Sequence, residues 1–233
     1  MEHLPGGLCL DIPQGCFPLS TDSMVLNHFV SLPKNARVLD LGSGCGTLGL
    51  LLCAKDSSCH ITGLEITEPA HLAALENIRR NSLSARMESI CADLRSVSER
   101  FSPGQFSCCV SNPPYFSGGA VSRSHPLARQ EKACSLQELM TAASWGLKYG
   151  GDFFLVHRPE RLGELIVRGA EAGLEAKRLC LVRHRPDEAV SLILLQLRKG
   201  GKPGLRWEEI SLLDSRGAPT KAYREIYHME ENP

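Results

Sequence analysis

The sequence predicts an α/β protein built on a doubly wound, mostly parallel sheet. Three observations predict it. Short apolar runs rich in branched residues alternate with longer stretches of helical spacing, the pattern of strands joined by crossover helices. The run Ala36-Arg37-Val38-Leu39-Asp40-Leu41 leads directly into a glycine-rich turn, Gly42-Ser43-Gly44-Cys45-Gly46, which opens an apolar helix through Leu50, Leu51 and Leu52. A later run, Phe106 to Ser111, is cut off by Asn112-Pro113-Pro114-Tyr115, and paired prolines end a strand. Ligands of open α/β sheets gather at the carboxyl ends of strands, where both features fall.

The elements follow in order. Residues 1–14, rich in Gly and Pro, are expected to be irregular. Ser20, Thr21 and Asp22 precede an apolar stretch ending near Val30, so they are cap candidates for a first helix. The strand at 36–41 and the helix after the glycines come next. His60 to Ile66 reads as strand two, with Glu65 near its end, and a helix follows from Glu68 to about Asn81. Met87 to Cys91 is strand three, followed by Asp93, and Phe106 to Ser111 is strand four. Residues 116–134 form a long connection carrying Arg123, His125, Arg129 and Lys132; loops of that length are usually functional. A helix over 135–147, strand five at 152–157, a helix from Arg158 to about Ala172, and a hairpin-like pair at 177–183 and 189–198 complete the sheet. The tail from 199 has no assigned element. One domain accounts for the chain: a cofactor-covering segment over 1–35, the core sheet over 36–198 and an extension over 199–233.

Composition narrows the function. Lys plus Arg and Asp plus Glu both number 26 in 233 residues, so no global charge draws the chain to nucleic acid. Local charge differs: residues 157–202 carry ten Lys and Arg against six Asp and Glu. No apolar run approaches a membrane span and the start does not read as a signal peptide, so a cytoplasmic protein is expected. Ten cysteines occur without a CxxC pair. Several, including Cys53, Cys91, Cys108, Cys109 and Cys180, sit in apolar runs and read as buried, reduced thiols. Neither cysteine nor histidine spacing supports zinc, and no metal is expected.

The glycine corner, Gly44-Cys45-Gly46-Thr47-Leu48-Gly49, matches GxGxxG with Glu65 about twenty residues beyond. That pattern fits a nicotinamide dinucleotide and fits S-adenosylmethionine, since both present a ribose diol to an acid. Asp40 immediately before the glycines favours the second, because it would repel a pyrophosphate and pair with an ammonium. Asp93 at the end of strand three is a candidate for an adenine amino group. At the other feature, Asn112 offers an amide donor and a carbonyl acceptor, the prolines Pro113 and Pro114 leave carbonyls free to accept, and Tyr115 offers a stacking face. Together they suit a planar substrate bearing an NH2.

Asp40-Leu41-Gly42-Ser43-Gly44-Cys45-Gly46 followed by Asn112-Pro113-Pro114-Tyr115 resembles the class I methyltransferases that modify exocyclic or amide nitrogens. Within these the chain most resembles the bacterial adenine-N6 methyltransferases of tRNA1(Val), through Leu19-Ser20-Thr21-Asp22-Ser23, Asn112 to Phe116, Ala128-Arg129-Gln130-Glu131, Val156-His157-Arg158-Pro159-Glu160-Arg161 and Lys177-Arg178-Leu179. The resemblance covers most of the chain. It implies a seven-stranded Rossmann-like sheet with an antiparallel last strand, S-adenosylmethionine as cofactor and tRNA as partner; a monomer is expected. It places Asp22 and Ser23 on the methionine side of the cofactor, Asp40, Gly42, Gly44, Gly46, Glu65 and Asp93 around the rest, and Asn112, Pro113, Pro114 and Tyr115 on the target base. Arg129, Arg158, Arg161, Lys177 and Arg178 are the candidate RNA contacts. Gln130 departs from the histidine expected after Arg129, and Cys45 stands where threonine is common.

These residues imply a mechanism. Adenine N6 is a poor nucleophile because its lone pair is delocalised into the ring. Asn112 Oδ1 and the Pro113 carbonyl would accept its two N–H bonds and direct the lone pair at the methyl donor, while Tyr115 stacks on the extruded base. Glutamine methylation of release factors and methylation of DNA adenine or ribosomal guanine use similar chemistry. A nicotinamide-dependent oxidoreductase and an RNA-binding module without turnover are rivals of other classes.

Overall fold

The computed structural model describes residues 1–113 and 134–229. Its centre is an eight-stranded sheet in the order β10-β8-β9-β7-β6-β3-β4-β5. The strands are β3 (Arg37–Leu41), β4 (His60–Glu65), β5 (Met87–Cys91), β6 (Phe106–Ser111), β7 (Leu147–His157), β8 (Leu174–Arg183), β9 (Val190–Lys199) and β10 (Arg206–Ser211). All run parallel except β9, which is antiparallel to both neighbours, β7 and β8. The seven strands read from the sequence are therefore present, the seventh being antiparallel, and the tail adds an eighth at the edge.

Period-two alternation decides which helices cover which face. Val38, Cys108, Val110, Phe154 and Val156 point to one side and join α1 (Thr21–Phe29), α2 (Thr47–Lys55) and α3 (Glu68–Arg80) in one core cluster. Leu39, Leu41, Cys109, Phe153 and Leu155 point to the other and join α4 (Val97–Arg100), α5 (Leu136–Gly146) and α6 (Leu162–Glu171). Phe153 and Phe154 are fully buried on opposite faces, each burial stabilising by roughly 1.5–3 kcal/mol. Phe29 of α1 meets Phe154 edge to face at 5.9 Å between centroids. Asp152 and Arg198, opposite one another across β7 and β9, form a two-pronged ion pair at 2.8 and 2.9 Å that fixes the antiparallel register.

Three expectations are corrected. Residues 1–14 contain a small hairpin, β1 (Glu2–His3) with β2 (Cys9–Leu10), because α3 supplies its edge with partners: Asn81 accepts from Cys9 N and Asn77 from Asp11 N, both at 2.8 Å. The tail forms β10 and α7 (Lys221–Ile226). Its strand was hidden because Arg206 to Glu209 are solvent-facing at the sheet edge and lack apolar alternation. Cys91 is exposed, whereas Cys53, Cys108, Cys109 and Cys180 are buried as read, and all ten cysteines are free thiols. Among the described residues no helix is long and apolar enough to cross a membrane.

Candidate functional site

The chain leaves β3 toward β4 and β5 on one side and returns through β6 and β7 on the other. Between β3 and β6 the direction of winding reverses, and the carboxyl ends of those two strands form the crevice where ligands of open sheets bind. Ser111, fully buried at the end of β6, donates its hydroxyl to Leu41 O at 2.7 Å and ties the two strand ends together.

At the end of β3, Gly42, Gly44 and Gly46 take φ of 76°, 55° and 85°, values that favour glycine. A Cβ at Gly42 or Gly44 would meet nothing within 4 Å, so these two line open space. The loop is held from behind by Gly42 N and Ser43 N, which both donate to Leu64 O at 2.9 Å. Glu65 takes the Gly44 N–H at 2.9 Å on Oε2, and the Thr67 N–H at 2.8 Å and hydroxyl at 2.6 Å on Oε1. A carboxylate has about four acceptor positions, so it keeps capacity for a ligand hydroxyl.

Asp40 is 1 % exposed, and neither carboxylate oxygen has a hydrogen-bond partner among the described residues. Burial, with the nearby Glu65 charge second, pushes its carboxyl up to about 7. A buried acid without a partner beside an open glycine cradle fits a cationic ligand group. Asp93 is held by Arg95, which donates its N–H to Oδ1 at 2.9 Å and its Nε to Oδ2 at 2.9 Å, with Nη2 on the same oxygen. The Arg95 guanidinium holds the Asp93 carboxyl below the usual range.

Asn112 follows β6 and is half-buried. Its Nδ2 donates to Ser23 Oγ of α1 at 3.1 Å, bringing the first helix to the end of the fourth core strand. Asp22, one residue earlier, has its carboxyl raised by burial, opposed by the charge of Arg158. Arg158 stands just past β7, whose Leu155 pairs with Ser111, and so borders the same crevice. Pro113 is buried. Pro114, Tyr115 and Arg129 lie outside the described residues.

Of the other candidate RNA contacts, Arg161 pairs with Glu164 at 2.8 Å. Lys177 and Arg178 lie mid-strand in β8, away from the crevice. Lys177 Nζ donates to Lys202 O at 2.8 Å, and Arg178 pairs with Glu208 at 3.0 Å while its guanidinium sits 4.4 Å over the Phe29 ring. Thr67 and Ser111 went unnoticed in the sequence, as did Tyr227, whose hydroxyl donates to Thr21 Oγ1 at 3.1 Å. Thr67 had a legible signal, a cap-type residue just before the Glu68 helix. A cavity of about 430 Å³ lies beside the start of α1, lined by His3, Leu4, Pro5, Leu19, Ser20, Met24, Tyr227 and His228; Asp40, Glu65 and Asn112 do not line it. Among the described residues no group of His, Cys, Asp and Glu side chains suits a metal ion.

Comparison with known proteins gives a consistent set. Residues 20–168 match the family described as methyltransferase small domain. A tRNA1(Val) (adenine(37)-N6)-methyltransferase of Actinobacillus pleuropneumoniae is 26% identical, covering 89% of this chain and 87% of that protein. One of the same name from Vibrio cholerae is 31% identical, covering 77% of this chain and 75% of its own. Among solved structures, a predicted O-methyltransferase of Agrobacterium tumefaciens superposes with a TM-score of 0.75 at 22% identity, covering 89% of this chain and 96% of its own; at that identity the likeness concerns the fold.

Proposed function

Since this chain belongs to the methyltransferase small-domain family, we propose that it is an S-adenosylmethionine-dependent methyltransferase acting on the exocyclic N6 of an adenine in tRNA, at adenine 37 of tRNA1(Val). The observation that carries this reading is the orientation of Asn112. With Nδ2 given to Ser23, the acceptor end of the amide remains for a substrate that brings N–H donors. The similarity to enzymes named for tRNA adenine methylation supplies the substrate class.

S-adenosylmethionine, when bound, supplies an electrophilic methyl group on a sulfonium. The residues present fit it: Asp40 is a buried carboxylate awaiting a cation, Gly42 and Gly44 leave room for close approach, and Glu65 retains acceptor capacity for a diol. Gly46 starts α2 and shapes the corner. Asp22, on the segment over 1–35 that we take as the cofactor cover, borders the amino-acid end, and Ser23 beside it meets Asn112. Asp93 serves the adenine end with its carboxylate oriented by Arg95. Asn112 Oδ1 and the Pro113 carbonyl accept from the N6 amine and make its lone pair available, and Tyr115 stacks on the base. Arg129, Arg158 and Arg161 carry the phosphate contacts, with Lys177 and Arg178 more distant. In-line methyl transfer needs positioning and electrostatics rather than a Lewis acid, and we take the protein to act as a cytoplasmic monomer without a metal ion.

The test uses purified protein, methyl-labelled S-adenosylmethionine and unmodified bulk tRNA, with Asn112→Ala alongside. Label in N6-methyladenosine, reduced about 10²–10³-fold in kcat by the variant while cofactor Kd holds, is the expected result. Label absent from every nucleoside, with methylglutamine formed when release factor is supplied, would overturn it.

A further inference from the structure

We infer that Ser23 is a positioning residue for Asn112: its hydroxyl accepts the Asn112 amide N–H and so sets which end of the carboxamide meets the substrate amine. This rests on the reaction proposed above. The two ends of a carboxamide have nearly the same shape and opposite hydrogen-bonding character. A half-turn about the last side-chain bond would present Nδ2 to an amine that itself carries two N–H donors, donor against donor. An asparagine at the end of a strand has no intrinsic reason to choose the productive face. The 3.1 Å contact to Ser23 Oγ supplies that reason.

The contact is useful only if α1 stays in place, and both of its ends are held. At the start, the Tyr227 hydroxyl reaches from the C-terminal tail to Thr21 Oγ1 at 3.1 Å. At the finish, Lys55 Nζ donates to Asn27 O at 2.6 Å, His28 O at 3.2 Å and Val30 O at 2.6 Å, satisfying carbonyls at the end of the helix. Between them, Ser23 is 5 % exposed and cannot swing into solvent. The first helix is thus a fixed wall from which one hydroxyl reaches the reacting side chain. Sequence resemblance ties Ser23 to the cofactor, whereas the geometry ties it to Asn112, and the two roles predict different kinetics.

Ser23→Ala is expected to lower kcat about tenfold, with cofactor Kd and the KM for tRNA changed by less than about threefold, and Ser23→Thr to recover most of the rate. On an Asn112→Ala background, Ser23→Ala should cost nothing further. An undiminished or raised kcat would mean that Ser23 donates to Oδ1 or has no part in positioning. A matching loss of cofactor affinity, or a tenfold loss that persists without Asn112, would equally overturn the inference. A second readout does not need turnover. In protein labelled with ¹⁵N-asparagine, the Asn112 side-chain amide signal, assigned by its loss in Asn112→Ala, should shift in Ser23→Ala and return toward its place in Ser23→Thr. An amide signal indifferent to Ser23 sinks the inference. If Ser23→Ala shifts the signal but the wild-type protein methylates no tRNA, the substrate proposed above is overturned and the contact stands.

Discussion

Asp40 concentrates the chemistry of the cofactor side in one carboxylate. Its placement directly before the glycines was legible in the sequence; its burial without a partner was not, because only the packing of β3 between β4 and β6 removes it from water. Burial, then the Glu65 charge, raises its carboxyl from 3.8 to about 7. Binding of an ammonium needs the ionised form, so cofactor affinity should rise with pH from about 6 to about 8. Asp40→Asn should flatten that rise and weaken binding by about 10–100-fold, as read by calorimetric titration. The ligand-free protein responds in the opposite sense. A folded-state value above the unfolded one gives stability fully present below about 4 and lost as pH climbs to about 7. Asp40→Asn should therefore melt at a higher temperature than wild type at pH 8, the gap closing toward pH 4. An Asp40→Asn protein that keeps the pH dependence of binding would remove Asp40 from the cofactor site. Asn112 is the complementary case: its place at the end of a strand was legible from its prolines, and its orientation required the partner on α1.

At the scale of elements, strand packing shapes the glycine corner as much as the glycines do. Gly63 in β4 pairs with Asp40 in β3, and a Cβ there would stand 2.7 Å from Ser43 Oγ and 2.9 Å from Ser43 Cβ. Ser43 belongs to the corner, so the crowding would act on the cofactor loop from the neighbouring strand. Gly63→Ala is expected to destabilise by about 1–3 kcal/mol and to weaken cofactor binding several-fold, measured by thermal melting and titration; unchanged affinity would show that the loop tolerates displacement. An isolated glycine within a strand signals close approach, yet the partner could not be read from one sequence. The Ser135–Glu138 capping box of α5, with Ser135 N donating at 2.7 Å and Glu138 N at 3.2 Å, was fully readable as S-x-x-E. The edge strand β10 was not, since its charged residues face water and its pairing with β8 is a tertiary fact.

Across the whole molecule, strand order is what joins distant stretches of sequence into one site. The alternation of runs and periodic stretches made the α/β winding legible and put the glycine corner and Asn112 at carboxyl ends of strands; that those two strands, β3 and β6, are neighbours came from the sheet order. The proposed RNA contacts were less legible, because charge counts along a sequence do not separate charges at the rim from charges engaged within the sheet. Both side chains have backbone partners, Arg158 on Ser191 O at 3.2 Å and Lys177 on Lys202 O at 2.8 Å; they differ in place, Arg158 following the carboxyl end of β7 and Lys177 lying mid-strand in β8. Arg158→Ala should weaken tRNA binding and reduce its salt slope by about one, while Lys177→Ala should leave both near wild type; equal effects would mean that the RNA also crosses β8. The central claim, methyl transfer to one adenine N6 at the Asn112 end of β6, meets its most direct test in a tRNA1(Val) transcript incubated with the protein and labelled cofactor, then cleaved and sequenced by mass spectrometry. The account predicts a single added methyl at adenine 37, as N6-methyladenosine, lost when that adenine is replaced by guanine. A methyl elsewhere, on another atom, or on none of the RNA would contradict it.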